Sequence, residues 1–123
     1  MYSPELLDHF EHPRNAGVLD SPDAVAQLEN PVCGDVLALS ARINGGRIAD
    51  IRFKAKGCVP AMACGSALTT LASGRTMSEA AEIDADAIVA VLGGLPPASS
   101  HAAHLAIDAL TLLLRNVRHD EKS

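Results

Sequence analysis

The chain has 123 residues, nearly half of them apolar, which is material for one domain with a modest core and not for a second, so residues 1–123 are expected to form a single domain. Tryptophan is absent, and one tyrosine and two phenylalanines leave the core to Ala, Leu, Val and Ile while providing poorly for stacking on nucleobases. A net charge of -5 without any long acidic run argues for solubility and against a phosphate backbone, which excludes nucleic acid as partner.

Met1 to Asp8 lacks the basic start and apolar run of a secretory signal, and no stretch approaches membrane-spanning length. The expected location is the cytoplasm, away from any membrane. Three cysteines cannot all pair internally, so in a reducing compartment metal binding or thiol chemistry is the better default than a disulfide.

Taken in chain order, Ser3-Pro4 is a helix cap followed by proline at the first helical position, and Leu6, Leu7 and Phe10 fall at helical spacing up to about Glu11. His12-Pro13 ends that helix, and Arg14 to Pro22 reads as loop. Val25 to Leu28 suits a short edge strand. From Val36 to Ile43, Leu37, Leu39, Ala41 and Ile43 alternate with smaller or polar residues; Ile48 to Ala55 repeats the pattern through Ile51, Phe53 and Ala55. Asn44-Gly45-Gly46 between the two runs is a hairpin turn signal. A hairpin brings its outer ends together, so Cys33-Gly34-Asp35 and Gly57-Cys58 should meet at one edge of the sheet.

Gly57 lets the backbone turn, Pro60 suits a first helical turn, and Cys58 between them stands before a helix N-terminus whose unpaired N–H groups favour a thiolate. The helix that follows should run to Ser73-Gly74. Thr76 to Glu79 fits a capping box, and Asp84 caps a further stretch through Ile88, Val89 and Leu92 that Gly93-Gly94 ends. Leu95-Pro96-Pro97 is expected to be extended, and Ser99 or Ser100 to cap the longest helix, about His101 to Arg118, with Ala102, Leu105, Ala109, Leu112, Leu113 and Asn116 as its buried stripe. Asp120 to Ser123 reads as a solvated tail.

Cys33 and Cys58 lie beside glycines in loops, where a packing cysteine is uncommon. With Asp35 and His101 they supply two thiolates, a carboxylate and an imidazole. Four such donors suit tetrahedral zinc and iron in a cluster alike, and spacing does not separate the two. Their summed charge asks for compensation from Lys54, Lys56 or a helix N-terminus. Cys64 is expected to be a packing residue on a buried helix face, His104 an exposed partner of Asp108, and His9, His12 and His119 surface residues.

These loops, in this order, resemble the U-type iron-sulfur cluster assembly scaffolds, the IscU family and the N-terminal scaffold domain of NifU. The resemblance runs from Tyr2-Ser3 and His12-Pro13-Arg14-Asn15-Ala16-Gly17 through Cys33-Gly34-Asp35, Phe53-Lys54, Gly57-Cys58 and Leu95-Pro96-Pro97 to His101 and Asp108-Ala109. It implies an α+β fold, a small antiparallel sheet of about three strands covered by helices. It also implies a non-enzymatic scaffold that binds iron or a labile [2Fe-2S] cluster through Cys33, Asp35, Cys58 and His101. Sulfur would come from a cysteine desulfurase, and apo iron-sulfur proteins would accept the cluster.

Two departures bear on that expectation. Ala102 stands where the family has a third cysteine, and Cys64 is an extra thiol where a small hydroxyl residue is expected. Ala98-Ser99 follows Leu95-Pro96-Pro97 where members served by a dedicated chaperone read Val-Lys, which argues against that chaperone as partner. Two thiols per chain would give four per pair, so a cluster-loaded homodimer could share them. The alternatives are a zinc-bearing sulfur-transfer protein that accepts persulfide sulfur on Cys58 or Cys33, and a regulatory paralogue that holds zinc without building clusters. No serine-histidine or paired-carboxylate arrangement supports hydrolase chemistry.

Overall fold

The computed structural model describes residues 2–31 and 34–117. Its elements are α1 (Pro4–Glu11), β1 (Ala24–Glu29), β2 (Val36–Asn44), β3 (Arg47–Lys56), α2 (Val59–Ala72), α3 (Met77–Ala81), α4 (Ala85–Val91) and α5 (Ser100–Arg115). The strands form one antiparallel sheet in the order β1-β2-β3, and with its helices the fold is the expected α+β arrangement.

The hairpin turns on Gly45 and Gly46, whose φ angles of 61° and 77° suit the two-residue turn that matches strand twist. One feature departs from simple alternation. Arg42 pairs with Asp50 and Ile43 with Ile48, so Ala49 is an extra residue in β3. This bulge shifts the phase, and Ile48 joins Ile51 and Phe53 on the buried face although it is three residues from Ile51. Leu37, Leu39 and Ala41 of β2 share that face. Helix α2 packs on it with almost no exposed side: a Cβ on Gly65 would stand 2.6 Å from the Phe53 ring, so only glycine allows this approach.

Helix α1 starts as expected, with the Ser3 hydroxyl accepting from the Leu6 N–H at 3.0 Å. The same hydroxyl donates to the Leu92 carbonyl, which ties α1 to the end of α4. His9 is not a surface residue. It lies one turn from Leu6 on the face that packs against α2, and its Nδ1 is 2.8 Å from Ser66 Oγ. Ser66 Oγ also accepts the Arg14 N–H at 2.9 Å, so one buried hydroxyl holds both the imidazole and the chain that leaves α1. His12 is exposed, as expected, and His119 lies outside the described residues.

Burial, then the Arg14 charge, holds the His9 pKa below its ordinary value, with Asp8 opposing. Below about pH 6.5 the unfolded chain takes up a proton that the buried ring resists. The contribution is therefore complete above that pH and is lost as pH falls toward the lower folded-state pKa. His9→Gln, which keeps a hydrogen-bond partner for Ser66, should flatten the fall in stability below pH about 6.5. Urea midpoints across that range test this, and an unchanged slope would place the dependence on other groups.

The Thr76–Glu79 capping box and the Asp84 cap form as expected. The segment before α5 differs. Pro96 is extended, but Pro97–Ser99 make a single 3₁₀ turn closed by the Ser99 N–H on the Pro96 carbonyl at 2.8 Å. That turn leads straight into α5, so no serine side chain caps it. A proline fixed near −65° fits the start of such a turn as well as an extended strand. Helix α5 ends at Arg115. Asn116 is exposed rather than buried, and its amide donates to the Val25 carbonyl at 2.9 Å, pinning the helix end to β1. Arg118, the tail and Cys33 lie outside the described residues. No helix among the described residues is long and apolar enough to cross a membrane.

Candidate metal centre

Strand β2 begins one residue after Asp35, and β3 ends one residue before Gly57, with Val36 paired to Lys56. The hairpin therefore sets Asp35 beside Cys58 at one end of the sheet, as its sequence implies. The loop before Asp35 is closed by two backbone bonds, Asn30 N–H to the Asp35 carbonyl at 2.8 Å and Gly34 N–H to the Asn30 carbonyl at 2.7 Å. Gly57 adopts φ 138°, and a Cβ there would lie 2.1 Å from Asp35 Oδ1. Its bare Cα is the space into which the carboxylate fits.

Cys58 is the N-cap residue of α2. Asp35 is 2% exposed, and each of its oxygens has a partner. Oδ1 accepts the Cys58 N–H at 3.1 Å, and Oδ2 faces Cys58 Sγ at 3.3 Å. From the first turn of α5, His101 Nε2 comes within 3.5 Å of the same Oδ2. One donor atom from each of Asp35, Cys58 and His101 thus lies within 4.8 Å of the others. A half-exposed thiol, an imidazole and a buried carboxylate converging on one point make a donor set for a transition ion, and three protein donors leave further positions for another ligand. Cys33 lies outside the described residues.

Burial pushes the Cys58 thiol pKa up, and the hydrogen bond and charge of Asp35 push in the same direction. The helix N-terminus does act on it, through the Ala61 N–H, with the opposite sign; that bond is second to burial and is outweighed by burial and Asp35 together. So the expected thiolate is not the favoured form in the ion-free protein. A divalent cation reverses this balance, because the same carboxylate that disfavours a thiolate alone helps to neutralise an ion that a thiolate binds. Lys54 and Lys56 are both exposed, and the N-terminus of α2 supplies the positive end beside Asp35.

Cys64 is completely buried inside α2, with its thiol pushed up to about 12 by burial and then by Cys58. It packs, as expected, and is not one of the three grouped donors. Ala102 follows His101 and is buried, without a donor to offer. His104 is exposed but does not pair with Asp108: among the described residues no ion pair links them. Sequence reasoning missed the depth of Asp35 and the reason for Gly57. The adjacent Gly57-Cys58 and Gly34-Asp35 pairs were the available signal.

A three-stranded antiparallel sheet backed by helices, with carboxylate, thiol and imidazole gathered at one end, defines a small α+β protein with a candidate metal site. The chain belongs to the NifU-like N terminal domain family, whose model matches residues 1–122. It is 44% identical over 110 residues to the iron-sulfur cluster assembly scaffold protein IscU 1 of Archaeoglobus fulgidus, covering 89% of this chain and 72% of that one. It is 39% identical over 122 residues to the iron-sulfur cluster assembly scaffold protein IscU of Azotobacter vinelandii, covering 96% and 94%. The fold is similar to that of a nitrogen-fixing NifU-like protein, N-terminal part, from Brucella abortus, with a TM-score of 0.75 at 21% identity over 98% of this chain and 95% of that one.

Proposed function

We propose that this chain is a non-catalytic scaffold for iron-sulfur cluster assembly, which takes up iron and sulfide and passes the product to acceptor proteins. The observation that carries this is the convergence of Asp35, Cys58 and His101 in a chain whose relatives are named as such scaffolds. Iron and the cluster are cargo here, not resident cofactors. In this reading Cys33, Asp35, Cys58 and His101 are the ligands, and the cluster is of the [2Fe-2S] type.

Asp35 acts first, as a buried carboxylate that attracts a ferrous ion. Cys58 then gives its proton to solvent as its sulfur takes the ion, and His101 binds through Nε2. Sulfur arrives from a cysteine desulfurase at the persulfide level, and a thiol reductant, itself oxidised to disulfide, together with the ferrous ions supplies the electrons that bring it to sulfide. Carboxylate and imidazole exchange more readily than thiolate, so Asp35 and His101 are the ligands that open for transfer. With alanine at position 102, the cluster rests on two thiols per chain or is shared between two chains. Zinc, which suits the same donors, competes with iron for the site.

Hand-off is the defining step and can be tested directly. The protein is loaded anaerobically with ferrous iron, cysteine, a cysteine desulfurase and a dithiol reductant that brings persulfide sulfur to sulfide, then freed of small molecules and mixed with an apo [2Fe-2S] ferredoxin. The acceptor should gain its visible spectrum as the scaffold loses iron and sulfide. A loaded protein that keeps its cluster indefinitely, or that returns only persulfide on Cys33 or Cys58, would replace this reading with storage or sulfur transfer.

A further inference from the structure

A groove of about 520 Å³ runs along α5 from His101 toward Asp108, walled on the other side by Glu29, Asn30 and Pro31. Among the described residues its charged and ionisable lining consists of two carboxylates, Glu29 and Asp108, and two imidazoles, His101 and His104, with no lysine or arginine. The side chains of Glu29, His104 and Asp108 are exposed, and among the described residues none of the three makes a hydrogen bond or ion pair. An expected structural use for His104, pairing with Asp108, is thus not realised.

His104 and Asp108 are four residues apart on one helix, the separation at which two helical side chains can grip one ion. His101 lies one turn before His104 and belongs both to this groove and to the Asp35–Cys58–His101 group. We propose that the groove is a capture site for a divalent transition ion, held by His104 and Asp108 with Glu29 opposite, from which the ion passes to the three inner donors by way of His101. The inference rests on reading those donors as the ion's destination.

The chemistry of the two places differs in the way a relay requires. Among the described residues the inner three are the single group of donors already within reach of one another. The outer donors stand farther apart on an open surface, so an ion there keeps most of its water and leaves readily. The inner site adds a thiolate and buries the ion beside a carboxylate, which holds a soft or borderline ion more strongly. A negative cleft also raises the local concentration of cations before any contact is made. A solvated helix face would show the same exposure, but it would not set Glu29, His104 and Asp108, all suited to one ion, around a groove that also holds an inner-site donor, His101.

Cobalt(II) tests this, because only a thiolate-bound ion gives the near-ultraviolet charge-transfer band. The metal-free protein is titrated anaerobically, with total bound cobalt measured by equilibrium dialysis. The wild-type chain should bind a first ion with the band and a second, weaker one without it. The His104→Ala/Asp108→Ala double variant, altered only at exposed positions, should lose the second ion and keep the first. In stopped-flow at low ionic strength its thiolate band should rise about tenfold more slowly, to an unchanged amplitude. In Cys33→Ala/Cys58→Ala, which leaves no inner-site thiolate, the band should vanish while the weak ion remains, which separates failure of the inner site from failure of the groove. No second ion in the wild type, its survival in the double variant, or an unchanged loading rate would each overturn the capture site.

Discussion

Gly57→Ala should abolish ion binding at the metal centre and destabilise the fold at the same time. A methyl group there would stand 2.1 Å from Asp35 Oδ1, 2.8 Å from its carboxyl carbon and 3.0 Å from its Cα. The side chain alone cannot escape, because its backbone is among the atoms met. The φ of 138° adds strain of about 1–3 kcal/mol for a residue with a Cβ. Together these should lower Tm by at least about 5 °C in a domain of this size. Displacing Asp35 also takes the acceptor from the Cys58 N–H and separates the carboxylate from His101. Calorimetry and cobalt titration of Gly57→Ala measure both effects. The clash predicts non-additivity: Gly57→Ala combined with Asp35→Ala should cost less than the sum of the two single changes. Strictly additive losses would show that the contact is not the cause.

Asp35→Asn should move two properties in opposite directions. The amide oxygen can still accept the Cys58 N–H, so the loop keeps its shape, but the negative charge is gone. Affinity for a divalent ion should fall by at least about a hundredfold, since loss of outer-shell partners alone costs ten to a hundred. In the ion-free protein the Cys58 thiol should become more reactive. Burial is the largest cause of its raised pKa and stays, while both contributions from Asp35 are removed. Chelator competition and the rate of iodoacetamide alkylation at Cys58 give the two readouts. Weaker binding with slower or unchanged alkylation would mean that Asp35 does not govern the thiol.

The hairpin was legible because Asn44-Gly45-Gly46 can hardly serve another purpose between two alternating runs, and its register carries Asp35 to Cys58 without further information. The helix starts at Ser3, Thr76 and Asp84 were legible for a similar reason: each cap bonds to its own helix within three residues. What escaped the sequence depends on distant partners. His9 looks like any polar residue on a short amphipathic helix until Ser66, 57 residues away, gives its ring a partner inside the protein. Ile48 reads as out of phase because the bulge at Ala49 leaves no local mark. The thiolate expected at Cys58 followed from the helix N-terminus alone; burial and the facing carboxylate, which outweigh it, exist only once α2, the hairpin and α5 are assembled.

The most direct measurement is iron and acid-labile sulfide per chain after anaerobic reconstitution, for the wild-type protein beside Cys58→Ala. Matching amounts of iron and sulfide retained by the wild type and lost in the variant are the predicted result. Zinc near one per chain (about one, as a single tetrahedral site would hold) with no cluster formed, or the same cluster in Cys58→Ala, would contradict it.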